Sequence, residues 1–300
     1  MALVKMVTVE EEMKRNPELK EADLALLREW LKKQPHLPPL SDSELVLFLH
    51  SNYYRMEPTK TTIDTFFTVH THVPEFFSNV DPLGSKDVRA IMKVVCQFPL
   101  PGKTPEGYTV IYAKVTDSEP SHYVFSEAVK LLGMITELLL WSEGTCPGQI
   151  ILVDMDGVVF GHMARLSPMT IKKYFYYLQE ALPVRVKGLH FMNTVPFMDV
   201  ILNMIKPFMK KELMDVLVLH SNKDSLNQKI PLEILPNEAG GEAGTLKDLW
   251  AAQVKILENH RAWFQEQESR KVNEALRPGK AKNAADLFGV EGSFKKLDID

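Results

Sequence analysis

Hydrophobic and polar positions divide the chain into two kinds of pattern. Over the first 80 residues apolar side chains recur at helical spacing between prolines. Asn16 followed by Pro17 reads as an N-cap and first helical position, after which Leu24, Leu27, Trp30 and Leu31 share one face. Pro35, Pro38 and Pro39 stop that helix, and Ser41 with Glu44 forms a capping-box signature ahead of Leu45, Phe48 and Leu49. Pro58 opens a third helix carrying Ile63, Phe66, Phe67 and His70, and Pro74 ends it. This region is expected to be a small all-α N-terminal domain, 1–80.

From about residue 107 strand-like runs alternate with helical ones. GYTVIYAKV, QIILVDM, VRVKGLHFMN and VLVLHS read as strands, with helical patterns at about 125–143, 168–181 and 196–214 between and after them. Connections long enough to cross over imply parallel pairing, with helices covering both faces of the sheet. The second and fourth strands are nearly continuous apolar runs, as in strands buried on both faces. A last long helix over about 245–275 offers Leu249, Trp250, Val254, Leu257 and Trp263 for docking. The expected fold class is α/β, a mostly parallel sheet flanked by helices over 81–250, with a C-terminal helix and tail over 251–300.

Composition narrows the function. The 300 residues are 45% hydrophobic and 25% charged, values of an ordinary globular chain. A net charge of −4 without blocks of like charge argues against nucleic acid as a partner. The two cysteines, Cys96 and Cys146, have no CxxC spacing, so neither a disulfide framework nor a zinc site is expected, and a reducing, cytoplasmic compartment fits. The N-terminal apolar stretch is shorter than a signal-peptide core, and the apolar runs fall short of the roughly 20 residues that span a bilayer. Membrane contact is expected to be peripheral and the chain a monomer.

One motif points to an enzyme. ILVDMDGVVF resembles the nucleophile strand of haloacid-dehalogenase-type phosphatases, in which Asp154 and Asp156 would serve as nucleophile and general acid/base around Mg²⁺. That chemistry also needs a later acidic pair at a strand end, and Asp199, Asp215 and Asp224 form none. The alternative is a buried strand ending in a turn that uses Asp and Gly for their geometry. His70 and His72 lie on different faces of a helix, which argues against a shared metal. GGEAG at 240–244 lacks the Lys and Ser/Thr of a phosphate loop. No cofactor is implied.

A longer series of motifs runs from Asp154 to Gly241: the D-x-D-G strand end, SPMTIKK, PVRVKGLHFMN, KPF and LPNEAGG. In order and spacing these resemble the CRAL-TRIO family, in particular its tocopherol-transfer and retinaldehyde-binding-like branch. With the N-terminal helices, the resemblance covers about residues 15–250. It implies a non-enzymatic carrier that holds a tocopherol, retinoid, carotenoid or similar lipid in an apolar pocket, or else a peripheral-membrane lipid sensor.

By family position, the pocket would be lined by Leu132, Thr136, Leu152, Phe160, Tyr174, Tyr177, Leu178, Leu182, Val184, Val186 and Leu189. PFMDVILNMIKPFM resembles the movable gate, with Phe197, Ile201, Met204, Ile205 and Phe208 on the face toward the ligand and Met198, Leu202 and Met209 to the side. Arg185, Lys187, Lys210 and Lys211 are candidates for phosphoinositide headgroup binding. Other basic positions of the family pattern are replaced, by Glu212, Val216 and the stretch His50, Ser51 and Asn52.

Overall fold

A computed structural model describes residues 4–289. Its N-terminal part packs α1 (Val9–Arg15), α2 (Glu21–Leu31), α3 (Asp42–Ser51), α4 (Met56–His72), α5 (Pro74–Phe77) and α6 (Lys86–Ile91). The Ser41–Glu44 capping box is present, with the Ser41 N–H donating to Glu44 Oε2 at 2.8 Å and the Glu44 N–H to Ser41 Oγ at 3.3 Å. Asn16, by contrast, ends α1 instead of starting a helix: its Nδ2 donates to the Glu12 carbonyl at 3.0 Å, and the next helix begins only after Lys20. Pro58 sits in the first turn of α4, where the missing N–H has no helical partner to lose.

The sheet has five strands in the order β1 (Val95–Lys103), β2 (Thr109–Val115), β3 (Gln149–Asp154), β4 (Val186–Met192) and β5 (Leu217–Leu219). β2 to β5 pair in parallel, as expected from their long connections. β1 pairs antiparallel with β2 and was not foreseen. Its Pro99, Pro101 and Gly102 break a strand pattern, yet they are tolerated because β1 lies at the sheet edge and bulges between Pro99 and Lys103. The other correction concerns β5. It is the opposite edge, so its apolar run is only partly covered and Leu219 is 41% exposed.

Connecting these strands are α7 (Phe125–Glu143), α8 (Pro168–Tyr176, continued by a wider turn over Tyr177–Ala181), α9 (Met198–Ile205) and α10 (Lys211–Met214). Serine and proline start α8 as the sequence suggests, with Ser167 Oγ accepting the Thr170 N–H at 3.4 Å. The expected 196–214 helix is broken, because Pro207 lies in a 3-10 turn that separates α9 from α10. Alternate residues of β3 serve two cores. Ile151 faces α7, α8, α9 and the N-terminal helices, whereas Ile150 and Leu152 face the side covered by α11 (Lys223–Asn227) and α12 (Leu246–Asn259).

The expected last helix is two, α12 and α13 (Arg261–Ser269), divided at His260. Beyond it the chain crosses the N-terminal helices to α14 (Ala284–Phe288). Arg270 pairs with Glu44, Lys271 Nζ donates to the His70 carbonyl at 2.6 Å, and Arg277 pairs with Asp64 at 2.5 Å. The remainder of the expected 251–300 tail lies outside the described residues.

Candidate functional site: an apolar cavity beneath α9

Between the sheet and α7, α8 and α9 lies a cavity of about 200 Å³. Its floor is the α9-facing side of the sheet: Ala113 on β2, Ile151 and Val153 on β3, Leu189 and Phe191 on β4. α7 contributes Ala128, Val129 and Leu132, α8 contributes Ile171, Tyr174 and Phe175, and α9 closes the space with Ile201 and Ile205. Met155, Val158, Met163 and Leu166 come from the irregular segment between β3 and α8. Concave, mostly apolar walls with a few polar groups are what a small-molecule site needs.

Of the residues expected in the pocket, Leu132, Tyr174 and Leu189 border the cavity, as do Ile201 and Ile205 of the expected gate. Leu152 does not, because strand alternation turns it into the opposite core beside Val110 and Tyr112. Tyr177, Leu178 and Leu182 are buried in the packing around α8, and Thr136 is buried on α7. The Tyr177 hydroxyl donates to Glu137, whose Oε1 also lies 3.0 Å from His70 Nε2, so this tyrosine joins α7 and α8 to the N-terminal helices. Burial and the neighbouring Glu137 push its phenol well above the usual range. Val184 and Val186 are half-buried beside the main core, and Phe160 is 62% exposed.

The segment expected to form the gate is rotated from its expected register. Met198, Ile201, Leu202 and Ile205 are the buried face of α9, whereas Phe197, Met204 and Phe208 are half-buried. Phe197 precedes the helix as its N-cap and Phe208 lies in the turn after it, so neither follows the helical spacing assumed for them.

The candidate headgroup cations already have partners. Arg185 lies 4.1 Å above the Tyr53 ring and donates from Nε to the His50 carbonyl at 2.9 Å, although its Nη2 is buried without a hydrogen bond. Lys187 Nζ donates to the Tyr53 hydroxyl at 3.0 Å. Lys210 pairs with Glu180, and Lys211 with Asp215 at 2.5 Å.

Asp154 and Asp156 hold the end of β3. Asp154 is buried and accepts from the Tyr112 hydroxyl at 2.5 Å, Lys114 Nζ at 3.2 Å, Asn193 Nδ2 at 2.8 Å and the Asp156 N–H at 3.0 Å. A carboxylate with four donors is a hub for the turn and a poor nucleophile. Asp156 is exposed and pairs with Lys114 at 2.7 Å, which holds its carboxyl below the usual range. Gly157 completes the turn at φ 92°, where an added Cβ would stand 2.6 Å from the Val115 carbonyl.

Sequence reasoning missed most of the cavity wall, three groups of it for identifiable reasons. Val95 and Gln97 went unseen because β1 did. Tyr123 and Phe125 precede or open α7, where the helical pattern alone gave no direction. His162 belongs to a 3-10 segment, Phe160–Arg165, without a periodic signature.

A family model described as the CRAL/TRIO domain matches residues 95–241, and one described as a Pinta-like UBA domain matches residues 16–86. The alpha-tocopherol transfer protein-like chain of Homo sapiens is 31% identical over 240 residues, which is 79% of this chain and 69% of its own length. Clavesin-1 of Mus musculus is 25% identical over 238 residues, 77% of this chain and 66% of its own. A solved structure, the crystal structure of Sfh5, aligns over 85% of this chain and 86% of its own at a TM-score of 0.46 and 13% identity. With a CRAL/TRIO match spanning the sheet and the cavity, and a relative at this identity over most of both chains, the protein belongs to the CRAL/TRIO domain family.

Proposed function

We propose that this chain is an intracellular carrier that takes up, shields and delivers a hydrophobic small molecule without altering it, with α9 as a gate. The apolar cavity bounded on one side by Ile201 and Ile205 carries this reading. Burying an apolar ligand there gains about 25 cal/mol per Å² removed from water, so a few hundred Å² supplies on the order of 10 kcal/mol before entropic costs. Micromolar or tighter affinity survives those costs. The relatives named for tocopherol transfer support a ligand of that general kind.

Delivery calls for an apolar phase that competes with the cavity, and the surface beside α9 suits a bilayer. Val124, Val159, Phe160 and Val200 are 40–62% exposed, and each lies within two positions of a cavity residue: Tyr123, Val158, His162 and Ile201 respectively. Phe160 packs edge-on against Phe197, with ring centroids 5.4 Å apart, at the start of the gate. The free thiols Cys96 and Cys146 fit a reducing compartment.

Native mass spectrometry of gently purified protein, with organic extraction of whatever is bound, tests the reading directly. A stoichiometric apolar molecule is expected, and Leu132→Trp, which fills the cavity, should lower its occupancy at least about tenfold while the protein still unfolds cooperatively. Ligand bound equally well by the folded Leu132→Trp variant would put the binding site elsewhere.

A further inference from the structure

Two buried polar atoms of the cavity wall have no partner. Gln97 is 5% exposed and His162 is 2% exposed, yet Gln97 Oε1 and His162 Nε2 make no hydrogen bond among the described residues. An unpaired buried polar atom is costly enough that its persistence calls for a partner from outside the chain. Both side chains border the one cavity, and both pack on the same stretch of chain. Gln97 Nε2 donates to the Ala128 carbonyl at 3.1 Å, and the His162 ring stands edge-on to Tyr123 with centroids 5.3 Å apart.

The hydrogen-bonding character of both atoms is fixed. The Ala128 carbonyl can only accept, so it holds the Gln97 amide with nitrogen toward α7 and leaves Oε1 as a pure acceptor. His162 Nδ1 accepts the Val159 N–H at 3.0 Å. A proton on Nδ1 would meet that N–H head-on, and the Val159 carbonyl, 3.1 Å from the same nitrogen, takes the His162 backbone N–H at 3.0 Å. The ring is therefore the Nε2–H tautomer, and its free nitrogen is a donor.

We propose that Gln97 and His162 make the cavity wall polar at two points and suit it to a hydroxyl-bearing, otherwise apolar ligand, with Gln97 Oε1 taking a hydroxyl proton and His162 Nε2–H donating to a ligand oxygen. This rests on the carrier reading and adds the ligand's chemical class. An aldehyde, ketone, ester or ether has no proton for Gln97, and a hydrocarbon satisfies neither atom. An anionic head is disfavoured as well. Lys114, the cation of the cavity wall, is already paired with Asp154 at 3.2 Å and Asp156 at 2.7 Å. Tyr123 and Tyr174 also line the space, and burial holds both phenols above their usual range, so they remain neutral.

The test compares dodecanol with dodecyl methyl ether as competitors for anilinonaphthalene sulfonate in the full chain, delipidated beforehand. The wild type should prefer the alcohol by at least about tenfold, since the ether leaves the Gln97 oxygen unpaired. Gln97→Leu should bring the ratio to about one while the ether binds as before. His162→Phe, which keeps a ring against Tyr123, should weaken alcohol and ether together and leave the ratio standing. Thermal melts establish that each variant is folded, and the two substitutions lie on different elements, so loss of one leaves the other to decide. Tight binding of both competitors by the wild type with no preference would overturn the subsite and leave the carrier reading intact. An alcohol preference that survives in folded Gln97→Leu would do the same. If neither competitor displaced the dye, the cavity would not be a lipid site, and both proposals would fall together.

Discussion

His190 and His220 show how single residues tie this fold to pH. They are 3% and 4% exposed, on the sheet face away from the cavity, with His190 Nδ1 and His220 Nε2 3.0 Å apart. Burial, then the neighbouring His220, pushes the His190 imidazole down to about 4, and burial lowers His220 as well. In the unfolded chain a histidine titrates near 6.5, so between about pH 6.5 and pH 4 the unfolded state binds protons that the folded state refuses. Stability therefore falls as pH drops through that window, by about 2 kcal/mol from pH 7 to pH 5 for His190 alone. His190→Gln keeps a hydrogen-bonding group toward His220 and removes the titration. Urea unfolding at the two pH values should show a smaller acid loss in the variant, and equal losses would mean that other groups govern the acid limb.

At the scale of elements, the proposed gate role of α9, whose Ile201 and Ile205 border the cavity, can be tested by tethering it. Cysteines at Phe160 and Phe197, whose rings already meet, can be bridged by a short reducible thiol crosslinker in a Cys146→Ser background; Cys96 is 1% exposed and protected. The bridge should slow ligand release at least about tenfold and leave equilibrium affinity nearly unchanged, because a lid limits exchange more than it shapes the site. Release as fast as in the reduced protein would make α9 a static wall. Its apolar character and its position before KPF were legible in the sequence, but its register was not: the spacing assumed one helix from 196 to 214, and Pro207 ends it early. The strands show the same division. Period-two and apolar runs located β2 to β5, yet they could not say which face of β3 meets the cavity, and Leu152 lies on the other one. β1 was hidden because an edge strand accepts prolines that a central one would reject. Gln97 was hidden with it.

At the scale of the whole molecule, the N-terminal helices are held to the sheet domain by the chain's own C-terminal segment, through pairings no local pattern reveals. Glu44, the capping-box residue of α3, is 6% exposed. It receives Trp141 Nε1 from α7 at 3.1 Å and the Arg270 guanidinium from beyond α13. Burial alone would raise the Glu44 carboxyl, but the charge and hydrogen bond of Arg270, together with the Ser41 N–H and Trp141 Nε1, outweigh it and hold the group below its usual value. In the wild type the folded carboxylate thus resists protonation more than the unfolded one. The stability it contributes is present above about pH 4.5 and is lost as pH falls through the folded value. Arg270→Met keeps most of the aliphatic stem and removes the guanidinium, whose Cζ lies 5.4 Å over the Phe67 ring. The buried carboxylate is then uncompensated, so the variant should lose about 3–5 kcal/mol at pH 7. With burial now dominant, the Glu44 pKa rises above the unfolded value and the sign reverses: the folded variant takes up the proton first. Its deficit relative to wild type should therefore shrink on acidification from pH 7 to about pH 5, as measured by denaturant unfolding of both proteins. A deficit that stayed constant across that range would show that Arg270 acts through packing and its bond to the Pro39 carbonyl, and that Glu44 is not the charge it neutralises.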